Sequence, residues 1–170
     1  MTTVTRLRPS AFKRAVARLP LGAKVEIDSV AGTFLLPREN RSPLVFLAGG
    51  VGITPFLSML EALKSRKLRQ SVLLLYANRN RARTVFFQEL QELAERHRKI
   101  KIIFVMSRDS RWSGERGRIN EPLLRKYVKD FKTPWFYVCG KPQMTGSLSV
   151  ILLKLGVPGA RIKTEEFTGY

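Results

Sequence analysis

Only one cysteine, Cys139, and one histidine, His97, stand among the 170 residues. A disulfide framework needs at least two cysteines and a structural zinc site needs several Cys or His ligands, so both are excluded. Acid is scarce as well: 13 Asp and Glu stand against 31 Lys and Arg, a formal net charge of +18. No Ser, Gln or Pro tract of low complexity occurs, and 44% of the residues are hydrophobic, enough for a core and too many for a disordered chain. Long apolar runs are lacking too. The longest uncharged stretch, 42–60, is broken by Pro43, Gly49, Gly50, Gly52 and Pro55. It reads as a strand, a turn and a helix, not as the roughly 20 apolar residues of a membrane span. Residues 1–7 lead into no apolar run, so no secretory signal is read, and a cytoplasmic protein with a free thiol is the expectation.

What is present changes character near residue 42. The first part, 1–42, begins with the basic segment Arg6-Leu7-Arg8-Pro9-Ser10. The spacing predicts a short helix after it, with Ser10 as N-cap and Phe12, Ala15, Val16 and Leu19 on one face. Residues 24–28 and 33–36 alternate like short strands around a turn at Ala31-Gly32. The second part, 43–170, is rhythmic. Strands are predicted over 44–48, 72–77, 101–106 and 135–139, with a fifth, short one over 161–166. Helices are predicted over 54–67, with Thr54 as N-cap and Phe56, Leu57, Leu60 and Leu63 inward, and over 84–96, 120–129 and 143–155. Strands alternating with helices at this spacing imply an α/β fold, a doubly wound five-stranded parallel sheet.

In such sheets ligands sit beyond the carboxyl ends of the strands. At the first strand end, Gly49-Gly50-Val51-Gly52-Ile53-Thr54-Pro55 carries a buried run into a helix. Glycines admit a ligand close to the backbone, and a helix start offers free N–H groups to a phosphate. The spacing is not GxGxxG, and a purely structural turn would look the same. Asn78 and Arg79 close the second strand and would line the same crevice, although a solvated loop also accounts for Arg79, Arg81 and Arg83. Val138-Cys139-Gly140-Lys141-Pro142 places a thiol at the fourth strand end. A small buried cysteine is the plain alternative, and no histidine accompanies it to make a nucleophile.

Together these segments, in this order, resemble the pyridine-nucleotide domain of the ferredoxin–NADP reductase family of flavoenzymes, over 42–170. The resemblance implies that Gly49 to Pro55 holds the pyrophosphate of NAD(P)H. It implies that Gly140, Lys141 and Pro142 lie against the nicotinamide, with Met144 at the start of the next helix. Cys139 would stand near the carbon that gives up hydride, and the Glu165-Glu166-Phe167 ending would bring Phe167 back toward the flavin. Ser107 and Arg108 resemble the pair that reads the 2′-phosphate in NADP-selective members, whereas 112–118 also resembles NADH-using relatives, so NADPH is favoured and NADH stays open.

The first part is similar to the end of that family's flavin domain. Arg8, Ser10, Ala11 and Phe12 match the segment whose helix N-terminus faces the FAD pyrophosphate, and 21–34 resembles the closing strands of the antiparallel barrel. Residues 1–42 thus read as the C-terminal remnant of a flavin-binding barrel. The family's Arg-x-Tyr-Ser/Thr flavin motif has no match in the chain, so the segments present line one side of that site only. Two functions follow. One is an oxidoreductase module passing hydride from NAD(P)H to a flavin, with electrons going on to an iron–sulfur or other redox acceptor. The other is a non-catalytic nucleotide-binding or regulatory module. Seven cations and no acid between Glu61 and Glu89 suit an acidic electron-transfer partner such as a ferredoxin, or a flavin-domain chain, and no nucleic-acid reader motif accompanies them.

Overall fold

The computed structural model describes residues 10–28, 32–37, 41–65 and 69–168. Arg8, the turn residue Ala31, helix positions 66–67 and Tyr170 lie outside them. The first element, α1 (Ala11–Arg18), starts as its sequence predicts, with Ser10 Oγ accepting from Lys13 N at 3.2 Å. Its apolar face is not covered, however: α1 buries no residue. Nor are 24–28 and 33–36 strands. A strand exists only in a ladder, and among the described residues no segment offers these an edge. One piece of the region does dock. Phe34 packs edge-on against Phe56 and Tyr137, and Tyr137 OH donates to Leu35 O at 2.9 Å.

The sheet begins with a run that must be covered on both faces. Leu44 to Ala48 are no more than 3% exposed, the pattern of a central parallel strand. The strands are β1 (Leu44–Gly49), β2 (Val72–Asn78), β3 (Ile100–Met106), β4 (Glu115–Arg116), β5 (Trp135–Gly140) and β6 (Ile162–Glu166), all parallel, in the order β4-β3-β2-β1-β5-β6. Five of the six stand where the sequence predicts them, four of them on apolar runs. The sixth, β4, has two residues and therefore no periodicity that a sequence reading could detect.

Helices cover both faces. Alternate strand residues Phe46, Tyr76, Phe104 and Tyr137 form one cluster with Phe56 and Leu60 of α2 (Thr54–Ser65) and Leu90 of α3 (Phe87–Arg96). Their neighbours Leu47, Leu75, Val105 and Val138 form the other, with Leu124 of α4 (Glu121–Tyr127) and Leu148 and Leu152 of α5 (Pro142–Lys154). Two helix starts differ from expectation. Gly50, at φ 56°, opens a 3-10 turn over Gly50–Ile53, so Thr54 is already helical and closes that turn instead of serving as an N-cap; its hydroxyl donates to Val51 O at 3.0 Å. α3 begins at Phe87, not at Thr84, because Asn80 Oδ1 caps a separate turn at Arg81–Arg83 and Phe86 takes a left-handed conformation. Among the described residues no helix is long and apolar enough to cross a membrane.

Candidate functional site

From β1 the chain lays β2, β3 and β4 to one side, then returns to add β5 and β6 on the other. A crevice opens where that order reverses, at the carboxyl ends of β1 and β5. Here the glycine bend and the end of β5 touch. A Cβ built on Gly52 would collide with Cys139 O and lie 2.9 Å from Gly140 Cα, and one on Gly49 would collide with Met144 Sδ. Gly52 is therefore required by its close approach to backbone, whereas at Gly49 the flexible end of Met144 could move aside. Two hydroxyls hold the bend by its carbonyls: Tyr76 OH donates to Gly50 O at 2.9 Å, and Thr54 to Val51 O. No side chain caps the start of the turn, nor that of α5. Two helix starts, each carrying partial positive charge, thus meet at one place.

A cavity of about 450 Å³ occupies that place. Of the expected residues, Gly49, Gly50, Asn78, Arg79, Ser107, Lys141 and Met144 line it. Gly117, Arg118, Ile119, Gln143, Ser147 and Leu148 line it as well. Ser147 and Leu148 were legible, since they follow Met144 at i+3 and i+4 on one helix face. Arg118 was hidden behind the two-residue β4. Arg79, Arg118 and Lys141 give the wall three cations, and no carboxylate stands among the lining residues. Asn78 is 9% exposed, and its Nδ2 has no hydrogen-bond partner among the described residues, while its carbonyl accepts from Ser107 N and Oγ.

The other expected residues stand elsewhere. Val51, Gly52 and Ile53 are buried beneath the bend. Thr54, Pro55, Gly140, Pro142 and Arg108 do not line the cavity. Arg108 closes the loop instead, its N–H donating to Arg79 O at 2.7 Å. Cys139 is fully buried, and strand alternation puts its thiol with Tyr137 on the α2 side, whereas the cavity opens beside α5. Burial, with a smaller contribution from the charge of Glu165, pushes the thiol pKa up to about 12, so it stays protonated. Phe167 packs on the same cluster as Cys139, its N–H donating to Gly140 O at 2.9 Å. Ser10, Ala11 and Phe12 are exposed on α1.

The loop that carries Arg118 is tightly bound. Arg116 Nε and Nη2 donate to Trp112 O and Ser110 O at 2.8 and 2.7 Å, and Trp112 packs edge-on against Phe87 and Phe104. Glu115 Oε1 accepts from Lys126 Nζ at 2.5 Å and from Tyr127 OH at 2.6 Å. Those two hydrogen bonds hold the Glu115 carboxyl below its ordinary pKa, and the one between Tyr127 and Glu115 raises that of Tyr127.

A doubly wound sheet with a glycine bend and a cationic cavity at its switch point defines a nucleotide-binding α/β domain. The family model for the oxidoreductase NAD-binding domain matches residues 46–149, and the chain belongs to that family. Its fold is that of the ferredoxin reductase-like NAD-binding domains. Over 153 residues it is 28% identical to flavohemoprotein A of Dictyostelium discoideum, covering 89% of this chain and 37% of that one. Over 170 residues it is 27% identical to the F component of the Na(+)-translocating NADH-quinone reductase of Marinomonas sp. (strain MWYL1), covering 96% and 41%. The chain thus spans about two fifths of the length of these curated relatives. The crystal structure of the cytochrome b5 reductase domain of Ulva prolifera nitrate reductase superposes with a TM-score of 0.83 at 24% identity, covering 92% of this chain and 66% of that one. That likeness is one of fold.

Proposed function

We propose that the cavity binds NAD(P)H and that the chain is the nicotinamide-nucleotide half of a flavin reductase. One observation carries the reading: the cavity at the switch point joins two uncapped helix starts, three cations and no carboxylate. That is the lining a dinucleotide's pyrophosphate requires. The missing side chain at Gly52 lets the bend pack directly on the Cys139–Gly140 backbone, Gly49 and Gly50 leave their backbone bare on the cavity wall, and the unpartnered Asn78 amide is a donor waiting for an acceptor. Bound NAD(P)H supplies a hydride to a flavin. This chain's residues bind and orient the nucleotide, and the buried Cys139 with the half-buried Phe167 supports the Gly140 backbone from the other face of the sheet. Ser107 and Arg118 stand on the wall beside β3, and a hydroxyl next to a guanidinium favours NADPH.

Residues 1–42 are assigned to the closing segment of a flavin-binding barrel, the rest of which would come from a flavin domain. Electrons would pass on to an iron–sulfur or other redox acceptor, and the net charge of +18 would draw an acidic electron-transfer protein. A second reading, a binding or regulatory module without turnover, is favoured by the uncovered face of α1 and the unpaired residues 24–28. Calorimetric titration with NADPH and NADH tests the site. Gly50→Asp puts a side chain at φ 56° and a negative charge into the bend, and an affinity loss of about a hundredfold is expected. Unchanged affinity would overturn the assignment. Colour and turnover separate the two readings: the chain alone is expected to be colourless and to bind NADPH without consuming it. An added flavin domain should restore dye reduction if the chain is half a reductase.

A further inference from the structure

Glu115 does not line the cavity, yet it stands three residues before Arg118, which does. What lies between them is thinly held by backbone alone. β4 pairs only Glu115 with Val105 and Arg116 with Met106, and Gly117 N donates to Met106 O at 2.9 Å. Two residues make a marginal ladder, so side chains must fix the segment. On one side Arg116 ties back to Ser110 and Trp112. On the other, Glu115 Oε1 takes two hydrogen bonds from the last turn of α4, from Lys126 Nζ and Tyr127 OH. Tyr127 is steadied in turn by Lys101, whose Nζ lies 5.2 Å from the ring centroid. The same clasp has an electrostatic consequence. A carboxylate beside an anion site would compete for Arg118, and pairing Glu115 with Lys126 commits that charge to α4.

We propose that Glu115 is a positioning residue for the nucleotide site: its clasp on Lys126 and Tyr127 holds the 115–118 segment so that Arg118 stands on the cavity wall. The inference rests on the reading that the cavity takes NAD(P)H. Its test is NADPH titration of the full chain and its variants. Arg118→Ala deletes a charge-assisted contact and binds about tenfold more weakly. Glu115→Ala, acting through Arg118, binds about threefold to tenfold more weakly, whereas Glu115→Gln, which keeps an oxygen acceptor, stays within about twofold of the parent. The double variant Arg118→Ala/Glu115→Ala binds no more weakly than Arg118→Ala alone, because the clasp has nothing left to position. Tyr127→Phe, a gentler change, shows the same dependence on Arg118 at smaller size and serves where Glu115→Ala does not fold. Parental affinity in both Glu115→Ala and Tyr127→Phe, or losses that multiply in the double variant, would overturn the inference. If Gly50→Asp still abolishes binding in that case, the site stands and only the role of Glu115 falls. Unchanged binding in Gly50→Asp and Arg118→Ala removes the site and this inference together.

Discussion

Phe12 and Phe46 are the same side chain in opposite circumstances. Phe12, on α1, is 73% exposed, and its companions Leu21, Val25 and Leu35 are as open. Phe46, on β1, is fully buried, stacked on Phe56 at 4.7 Å and edge-on to Tyr137. Both positions belong to patterns that a sequence reader takes as inward-facing. The difference lies in what the rest of the chain supplies. A strand run such as 44–48 finds two helical layers within the same sequence, whereas α1 and 24–28 find no such cover among the described residues. An amphipathic pattern shows that a face wants cover, and says nothing of where the cover comes from.

Truncating the two rings gives the largest expected contrast. Phe46→Ala should cost about 3–5 kcal/mol, as large-to-small changes in a closed core do. Phe12→Ala should cost no more than about 0.5 kcal/mol in the chain alone. Urea unfolding of both variants measures this, and a comparable loss at Phe12 would mean that α1 is covered in solution. Next in size is Gly52→Ala. Its methyl would collide with Cys139 O, a backbone atom with no room to withdraw, so about 3 kcal/mol of stability and much of the nucleotide affinity should go. A well-folded variant with parental affinity would break the claim that the bend and β5 are locked together. Tyr137→Phe addresses the seam between the regions. It leaves Leu35 O without its donor and should cost about 1 kcal/mol. Cleavage by trypsin at Lys24 should quicken while the sheet domain persists; unchanged cleavage would show that Phe34 alone holds the strap.

The sheet domain was largely legible because its signals are long. Runs such as 44–48 and 72–77 and the face of α2 repeat a period often enough to be read, and their ends carry the glycines. What failed to show was short or depended on direction. β4 is two residues long, so Arg118 behind it could not be placed on the wall. Thr54 before Pro55 reads as an N-cap, but the positive φ of Gly50 starts the turn earlier and converts the hydroxyl from acceptor to donor. Cys139 was expected in the crevice from its place at a strand end. Period two already assigned it to the Tyr137 face, away from Val138, and that is the face it takes. Residues 24–28 alternate correctly and still form no strand, since register and pairing belong to a partner edge that alternation cannot reveal.

The buried thiol provides the smallest prediction and one confined to the sheet domain. In the native chain the Cys139 pKa is raised from 9.0 to about 12, first by burial and then by Glu165. Below pH 9 the native and unfolded chains both hold the proton, and stability does not depend on this group. Between pH 9 and 12 the unfolded chain releases it while the native chain keeps it, so the unfolded state gains and stability falls with pH. Tyr137, raised by burial from 10.0 to about 12, adds a second decline that begins above pH 10. Unfolding free energies across pH 8–10 should therefore slope downward in the parent from near pH 9, and lose that slope in Cys139→Ala. Alkylation of the thiol at pH 8 should follow the same logic and proceed only as fast as the sheet opens. Rapid labelling of the folded chain, or a slope that survives Cys139→Ala, would mean that the strand end is less closed than its packing against Gly52 implies. The contrast with α1 would then narrow.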